Sequence, residues 1–153
     1  MYSAVEVEAR VRCAAPMSDS TGRHAWPGHF PNGCPPVAAS DAEGLVIRLV
    51  ENDPPAPSDF ESHYKRSPDK DWGQNLCKAC GLSVYGDRND AERIMAKVPA
   101  LRNRLLAIGA LKPELGKVLS TPTPRTRSHR TWWLPQGGEP SKSFKILAAG
   151  GRL

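Results

Sequence analysis

The sequence lacks any run of the roughly 18 to 20 apolar residues that a membrane-spanning helix requires. It also lacks a secretory signal, because the first 20 residues carry Glu6 and Glu8 and contain no long apolar core. These absences predict a cytoplasmic protein that does not interact with membranes. Thiols stay reduced in that compartment, so a close cysteine pair there is more often a metal or redox site than a structural disulfide.

Sequence motifs that mark several common enzyme classes are also absent. The chain has no phosphate-binding P-loop, no GxGxxG dinucleotide fingerprint, no HExxH zinc-protease motif and no GxSxG nucleophile elbow. The commonest phosphate, dinucleotide and protease interpretations are therefore removed. An enzyme with another kind of site is not excluded.

Charge is distributed unevenly along the chain. Residues 97–153 hold 11 Lys and Arg against two Glu, whereas residues 1–96 hold 10 Lys and Arg against 14 acidic residues. A basic half favours a polyanionic partner, such as nucleic acid or an acidic protein. The alternative is a solvated basic surface, or one that contacts the acidic half of the same chain.

Composition and apolar patterning predict one α+β domain over residues 41–150. We expect a small mixed or antiparallel sheet with two or three helices packed mainly on one face. Residues 1–40 are rich in Ala, Pro, Gly and Ser. They predict a poorly ordered N-terminal arm, with one edge strand from Val5 to Val11.

Short apolar or alternating runs predict the strands, and stripes at steps of three and four predict the helices. The predicted strands are residues 45–50 (LVIRLV), 82–85 (LSVY), 117–119 (KVL), 129–134 (HRTWWL) and 143–148 (SFKILA). The last two are expected to pair as a hairpin. The predicted helices are residues 59–66, a helix that ends near Lys97, and another from Pro99 to Gly109.

Residues 77–82 (CKACGL) have the form of a zinc knuckle, because two thiolates three positions apart can bind one tetrahedral ion. The segment resembles the second half of a GATA-type zinc finger, although residues 56–59 lack the cysteine pair of that family's first half. We predict a zinc site at Cys77, Cys80 and His129, with Cys34 and His63 as other candidate ligands. The alternatives are two partly buried thiols or a thioredoxin-like redox pair.

The segment from residue 125 to residue 133 interleaves arginines with two tryptophans. Arginine neutralises phosphates, and an exposed indole stacks on unpaired bases. Alternation along a strand turns one of Trp132 and Trp133 toward the core and leaves the other free. The residues predicted to contact nucleic acid are Arg125, Arg127, Arg130, Trp132, Trp133 and Lys145.

A second set of residues resembles the site of ADP-ribosyltransferases. Arg48 lies on an early strand, Ser83 and Tyr85 lie on a strand that leads into a helix, and Glu139 lies near a late strand. The resemblance implies that these four side chains share one cleft around nicotinamide adenine dinucleotide (NAD), in an effector or toxin. His129 is an alternative general base.

The sequence thus favours a small cytoplasmic binding module whose basic C-terminal half contacts nucleic acid, with zinc as a structural cofactor. The first alternative is an ADP-ribosyltransferase-like enzyme that uses NAD. The second is a protein–protein interaction module whose acidic and basic halves bind partners of opposite charge.

Overall fold

A seven-stranded antiparallel sheet dominates the computed structural model, which describes residues 24–147. The strands are β1 Ser40–Asp41, β2 Gly44–Val50, β3 Leu82–Tyr85, β4 Leu105–Leu111, β5 Lys117–Ser120, β6 His129–Trp133 and β7 Phe144–Ile146. Their order across the sheet is β1-β5-β6-β3-β2-β4-β7. The predicted α+β class is confirmed in outline, but the sheet dominates and helices do not form a layer over one face.

Three short α-helices connect the strands of the described residues: α1 His63–Arg66, α2 Leu76–Ala79 and α3 Arg88–Lys97. The Asp87 side chain caps α3, where it accepts a hydrogen bond of 2.8 Å from the main-chain N–H of Asn89. The predicted end at Lys97 is confirmed. None of these helices has the length and apolar character to cross a bilayer.

The predicted helix over residues 59–66 is divided in two. A 3₁₀ turn, Pro57–Phe60, comes first, and α1 follows after two extended residues, Glu61 and Ser62. Ser62 caps α1 by accepting a hydrogen bond from the main-chain N–H of Lys65. α1 packs Tyr64 against the cluster that contains Trp133 of β6.

The predicted helix from Pro99 to Gly109 is wrong. Pro99–Leu101 form one 3₁₀ turn, and the apolar run that follows is strand β4. β4 pairs with β2 along its full length and with β7 on its other side. A strand buried between two others has a continuous apolar sequence, which periodicity alone does not separate from a buried helix.

The predicted hairpin between the last two strands is also wrong. β6 lies between β3 and β5, whereas β7 pairs with β4 at the sheet edge. β3, β2 and β4 therefore separate β6 from β7. Both strands lie near their predicted positions, but their neighbours differ.

Apolar side chains cover both faces of the sheet. On one face, Val46, Val84 and Trp132 form the largest buried cluster. On the other, α3 packs Ala91 against Ile47 and Tyr85.

The stretch from residue 24 to residue 40, which we expected in a poorly ordered arm, belongs to the folded unit. Trp26 and Phe30 are buried and pack in one cluster with Cys80 and Trp133. The strand predicted from Val5 to Val11 and the last three residues of the predicted domain lie outside the described residues.

Candidate functional site

The seam between β2 and β3 is the least regular part of the sheet. β2 pairs with β4 through all seven of its residues, but with β3 only where Ile47 faces Tyr85. The side chain of Arg48 bridges the opening beyond that pair. Its Nη1 donates to the main-chain oxygen of Ser83 at 2.8 Å, and its Nε donates to that of Asp59 at 2.8 Å.

Arg48 is a buried cation, with 9 % of its surface exposed. Burial, and to a lesser degree the nearby Arg66 guanidinium, lowers its pKa to about 10, so it stays charged at neutral pH. Within residues 24–147 it forms no ion pair, and its Nη2 has no hydrogen-bond partner. A guanidinium in this setting retains hydrogen-bonding capacity for an anionic ligand.

The nearest carboxylate, that of Asp59, is engaged elsewhere. It accepts hydrogen bonds from the main-chain N–H groups of Glu51 and Ala56 and from the side chain of Asn52. Burial alone would raise the pKa of Asp59, but these hydrogen bonds lower it overall. Asp59 therefore holds the turn after β2 and contacts Arg48 only through its main chain.

One cavity opens at the seam and a second shares residues around β3 with it, and together we call them the seam groove. The first, of about 210 Å³, is lined by Arg48, Glu61, Arg66, Tyr85 and Arg104 among others. The second, of about 420 Å³, is lined by Trp72, Lys78, Thr121, His129 and Thr131 among others. Four residues line both cavities: His63, Gly81, Leu82 and Ser83.

The seam groove is rich in positive charge. Three arginines line the first cavity and Lys78 lines the second, whereas Glu61 is the one carboxylate among the lining residues. Arg104 forms an ion pair of 3.0 Å with Glu51. Desolvation, and then the nearby Arg48, lower the pKa of the exposed His63, which favours its neutral form. The charge of the groove suits an anionic ligand of moderate size.

Ser83 and His129 form a hydrogen-bonded pair on the floor of the groove. Ser83 Oγ lies 3.0 Å from His129 Nε2. His129 Nδ1 lies 2.9 Å from the main-chain oxygen of Thr121 and 2.8 Å from Thr121 Oγ1. The carbonyl can only accept, whereas the hydroxyl can accept from Nδ1 and donate to Thr131 Oγ1, so a proton on Nδ1 satisfies every contact. In the neutral ring Nε2 then accepts from the Ser83 hydroxyl.

The environment of His129 favours the neutral ring. Burial lowers its pKa most, the Thr121 carbonyl opposes this in part, and Lys78 lowers it again. The Tyr85 ring packs edge-on against the imidazole, with 5.4 Å between ring centroids. Burial raises the pKa of Tyr85, which stays protonated.

Of the four residues that the ADP-ribosyltransferase resemblance selects, three lie together. Arg48, Ser83 and Tyr85 all line the first cavity. Glu139 instead lies exposed in the loop after β6, at the start of the 3₁₀ turn Pro140–Ser143, and lines neither cavity of the seam groove.

Sequence reasoning missed the pair of Ser83 with His129, although it selected each residue for a different role. Ser83 faces Thr131 and Tyr85 faces His129 across β3 and β6. Alternation puts Ser83 on one face with Tyr85, and His129 on one face with Thr131. The missing information was that the two strands are neighbours, which no local pattern contains.

The stacking role predicted for a tryptophan is wrong. Trp132 is 0 % exposed and Trp133 is 2 % exposed, because both faces of β6 are covered. The indole N–H of Trp132 donates to the main-chain oxygen of Leu115, and that of Trp133 donates to Cys77. Neither ring can stack on a base.

The basic residues predicted to contact nucleic acid are dispersed. Arg125 and Arg127 are exposed in the loop before β6, and Arg130 is half-buried on β6. Lys145 is exposed on β7, at the far edge of the sheet. These residues therefore do not form a single patch with Lys145.

The residues of the predicted zinc site are not gathered either. Cys77 forms a disulfide with Cys34, Cys80 is a buried free thiol, and His129 is bonded to Ser83 and Thr121. Burial raises the pKa of Cys80 to about 11. No group of three or more His, Cys, Asp and Glu side chains in residues 24–147 is placed to hold a metal. Zinc binding stays a prediction.

Comparison with known proteins finds no matching family model, curated protein or solved structure. Function is therefore argued from the groove itself.

Proposed function

We propose that the chain is an ADP-ribosyltransferase-like enzyme that binds NAD in the seam groove and breaks its bond to nicotinamide. One observation carries this proposal. Arg48 reaches from β2 across the open seam to Ser83 of β3, so the Arg and the Ser of the resemblance line one cleft. The sequence places them 35 residues apart, with no local reason to meet.

The charges of the groove suit the diphosphate of NAD. Arg48 offers its unpaired Nη2 from a buried position, where a charged hydrogen bond is stronger than in water. Arg66 and Arg104 line the same cavity. The planar guanidinium fork matches the geometry of phosphate oxygens, which favours arginine at such a site.

Glu61 supplies the carboxylate that Glu139 does not. When nicotinamide leaves, positive charge develops on the ribose ring, and a nearby carboxylate stabilises it. Glu61 lines the first cavity together with Arg48 and Ser83. Glu61 directly follows the 3₁₀ turn Pro57–Phe60.

The test combines calorimetry with NAD and chromatographic measurement of released nicotinamide. Arg48→Lys keeps the charge but loses the planar fork, and we expect NAD affinity to fall at least about tenfold. Glu61→Gln should retain binding and slow nicotinamide release by roughly 10²-fold.

Lys112→Met is the matched control, because Lys112 is exposed and lines neither cavity. It removes one positive charge without touching the groove and should leave both measurements unchanged. Absence of NAD binding and of nicotinamide release in the unmodified chain would overturn the proposal. NAD affinity that is the same in Arg48→Lys would place the ligand elsewhere.

A further inference from the structure

We infer that Ser83 and His129 act as a proton relay that activates a hydroxyl group as the acceptor of the ADP-ribosyl group. This inference rests on the proposed function and names its acceptor class. Ser83 lines both cavities, whereas Arg48 lines only the first and His129 only the second. Ser83 Oγ is therefore near the junction between a nucleotide in the first cavity and an acceptor in the second.

The hydrogen bonds set the direction of proton transfer. The Thr121 carbonyl accepts from Nδ1 of His129, and Thr121 Oγ1, which lies 2.8 Å from the same nitrogen, can donate to Thr131 instead. With the proton on Nδ1, the Nε2 lone pair is directed at Ser83. The Ser83 hydroxyl donates to Nε2, and its oxygen keeps lone pairs that can accept from an entering O–H group. Such a group in the second cavity would complete a chain of two hydrogen bonds that ends at His129.

The step balances without any further reactant. The acceptor oxygen forms a bond to the ribose carbon that carries nicotinamide. The carbon–nitrogen bond breaks, and its electron pair neutralises the pyridinium ring, which leaves as nicotinamide. The acceptor proton passes to Ser83 Oγ while the Ser83 proton passes to His129 Nε2, and the imidazolium then releases its proton to water.

The groups around His129 favour a neutral acceptor over a cationic one. Lys78 of α2 and His63 at the start of α1 line the second cavity, and Tyr85 of β3 packs on the ring. None of these groups is anionic at neutral pH, and Lys78 repels a guanidinium or ammonium. The second cavity also offers the hydroxyl-bearing side chains Thr121 and Thr131, next to the half-buried Trp72. Water or an alcohol fits this lining.

The experiment measures nicotinamide release from NAD in water and in water with added methanol. The unmodified protein should form ADP-ribose alone in water and both ADP-ribose and its methyl glycoside with methanol. Ser83→Ala and His129→Gln should bind NAD within about twofold of the unmodified protein but release nicotinamide roughly 10²-fold more slowly.

Chemical rescue separates catalysis from a structural role. His129→Gly removes the base, and added imidazole should restore nicotinamide release. The exposed Glu139→Gln, outside both cavities, serves as the control that should change nothing.

The outcomes separate the two proposals. NAD cleavage at the unmodified rate in Ser83→Ala and His129→Gln, or a folded His129→Gly that imidazole does not rescue, would overturn the relay and leave the proposed function standing. No NAD cleavage by the unmodified protein would overturn both.

Discussion

Arg48 lies in the middle of an apolar strand, where its guanidinium is buried and bonded to two main-chain carbonyl oxygens. Val46 and Val50, on either side of it along the same face of β2, are core residues. A cation at such a position costs free energy of desolvation that no ion pair among the described residues offsets, although the nearby Asp59 carboxylate favours the charged form. The two hydrogen bonds of Arg48 to main-chain oxygens offset part of this cost, and a buried cation that also lines a cavity is typical of a binding residue.

Replacing Arg48 by Met tests separately what the buried charge costs in stability and what it contributes to NAD binding. Met fills a similar volume and removes the buried charge, so we expect the free energy of unfolding to change by no more than about 1 kcal/mol, or to rise. NAD affinity should fall at least as much as in Arg48→Lys. Urea denaturation and calorimetry check the two effects, and a loss of several kcal/mol would show instead that Arg48 is needed to hold the seam.

The exposed His63 and the half-buried His129 predict how stability depends on pH. His63 and His129 have pKa values below the ordinary 6.5, for each mainly because of desolvation. The folded chain then binds fewer protons than the unfolded chain once pH falls below 6.5, so protonation favours unfolding. The free energy of unfolding should be highest above that pH. It should fall as the solution is acidified toward the folded-state pKa values.

Melting temperatures between about pH 7 and about pH 5 measure this dependence. His129→Gln should flatten it, since one of the groups is removed. The same slope in His129→Gln and in the unmodified protein would show that His129 already titrates normally when folded.

At the scale of elements, the disulfide between Cys34 and Cys77 connects the segment before β1 to α2. α2 contributes Lys78 and Ala79 to the second cavity of the seam groove. The same segment buries Trp26 and Phe30 against Trp133. The wall of the groove therefore depends on a chain segment that the composition suggested was peripheral.

Reduction of this disulfide should destabilise the fold. The two cysteines are 43 residues apart, and a cross-link that closes a loop of this length stabilises by roughly 2 to 4 kcal/mol. Urea denaturation with and without a phosphine reductant measures the loss. In Cys34→Ser the reductant should have no further effect, and equal stability of the oxidised and reduced protein would contradict the expectation.

At the scale of the whole molecule, the basic second half of the chain favours a polyanionic partner, and nucleic-acid contact stays a prediction. Because Trp132 and Trp133 are buried, they cannot stack on bases, so any contact with nucleic acid would be mainly electrostatic. Arg125 and Arg127, exposed in one loop, are the residues best placed to meet phosphates.

Measurements of binding to single-stranded RNA at several salt concentrations test the predicted contact with nucleic acid. If it occurs, affinity should fall as salt rises, and replacing both Arg125 and Arg127 by Ala should reduce the log–log slope by roughly 1.4, or about 0.7 for each lost phosphate contact. Absence of binding at low salt would contradict it. A protein partner of opposite charge, the remaining alternative, should stay bound after nuclease treatment.

Local pattern was sufficient for several elements. The apolar run around Arg48 and the alternation through His129 each predicted a strand that the structure contains, and the helical stripe predicted the end of α3 at Lys97. Pattern failed at β4, where burial between two strands produced an apolar run that also fits a helix. It failed again at Trp132 and Trp133, because alternation predicts one covered face and this sheet has two.

Local pattern in the sequence was enough to predict strands β2, β3, β5, β6 and β7 and to show that an arginine lies within an apolar strand. Only the tertiary structure decided that β2 and β3 part beyond Ile47, that Ser83 meets His129 across 46 residues, and that Cys34 bonds to Cys77. The two kinds of information differ in the sequence separation over which the interactions act. Side-chain period and capping act over one or two turns of chain, whereas strand order depends on how all the apolar faces are buried together. The seam groove, which carries the proposed chemistry, arises entirely from the order and packing of the strands.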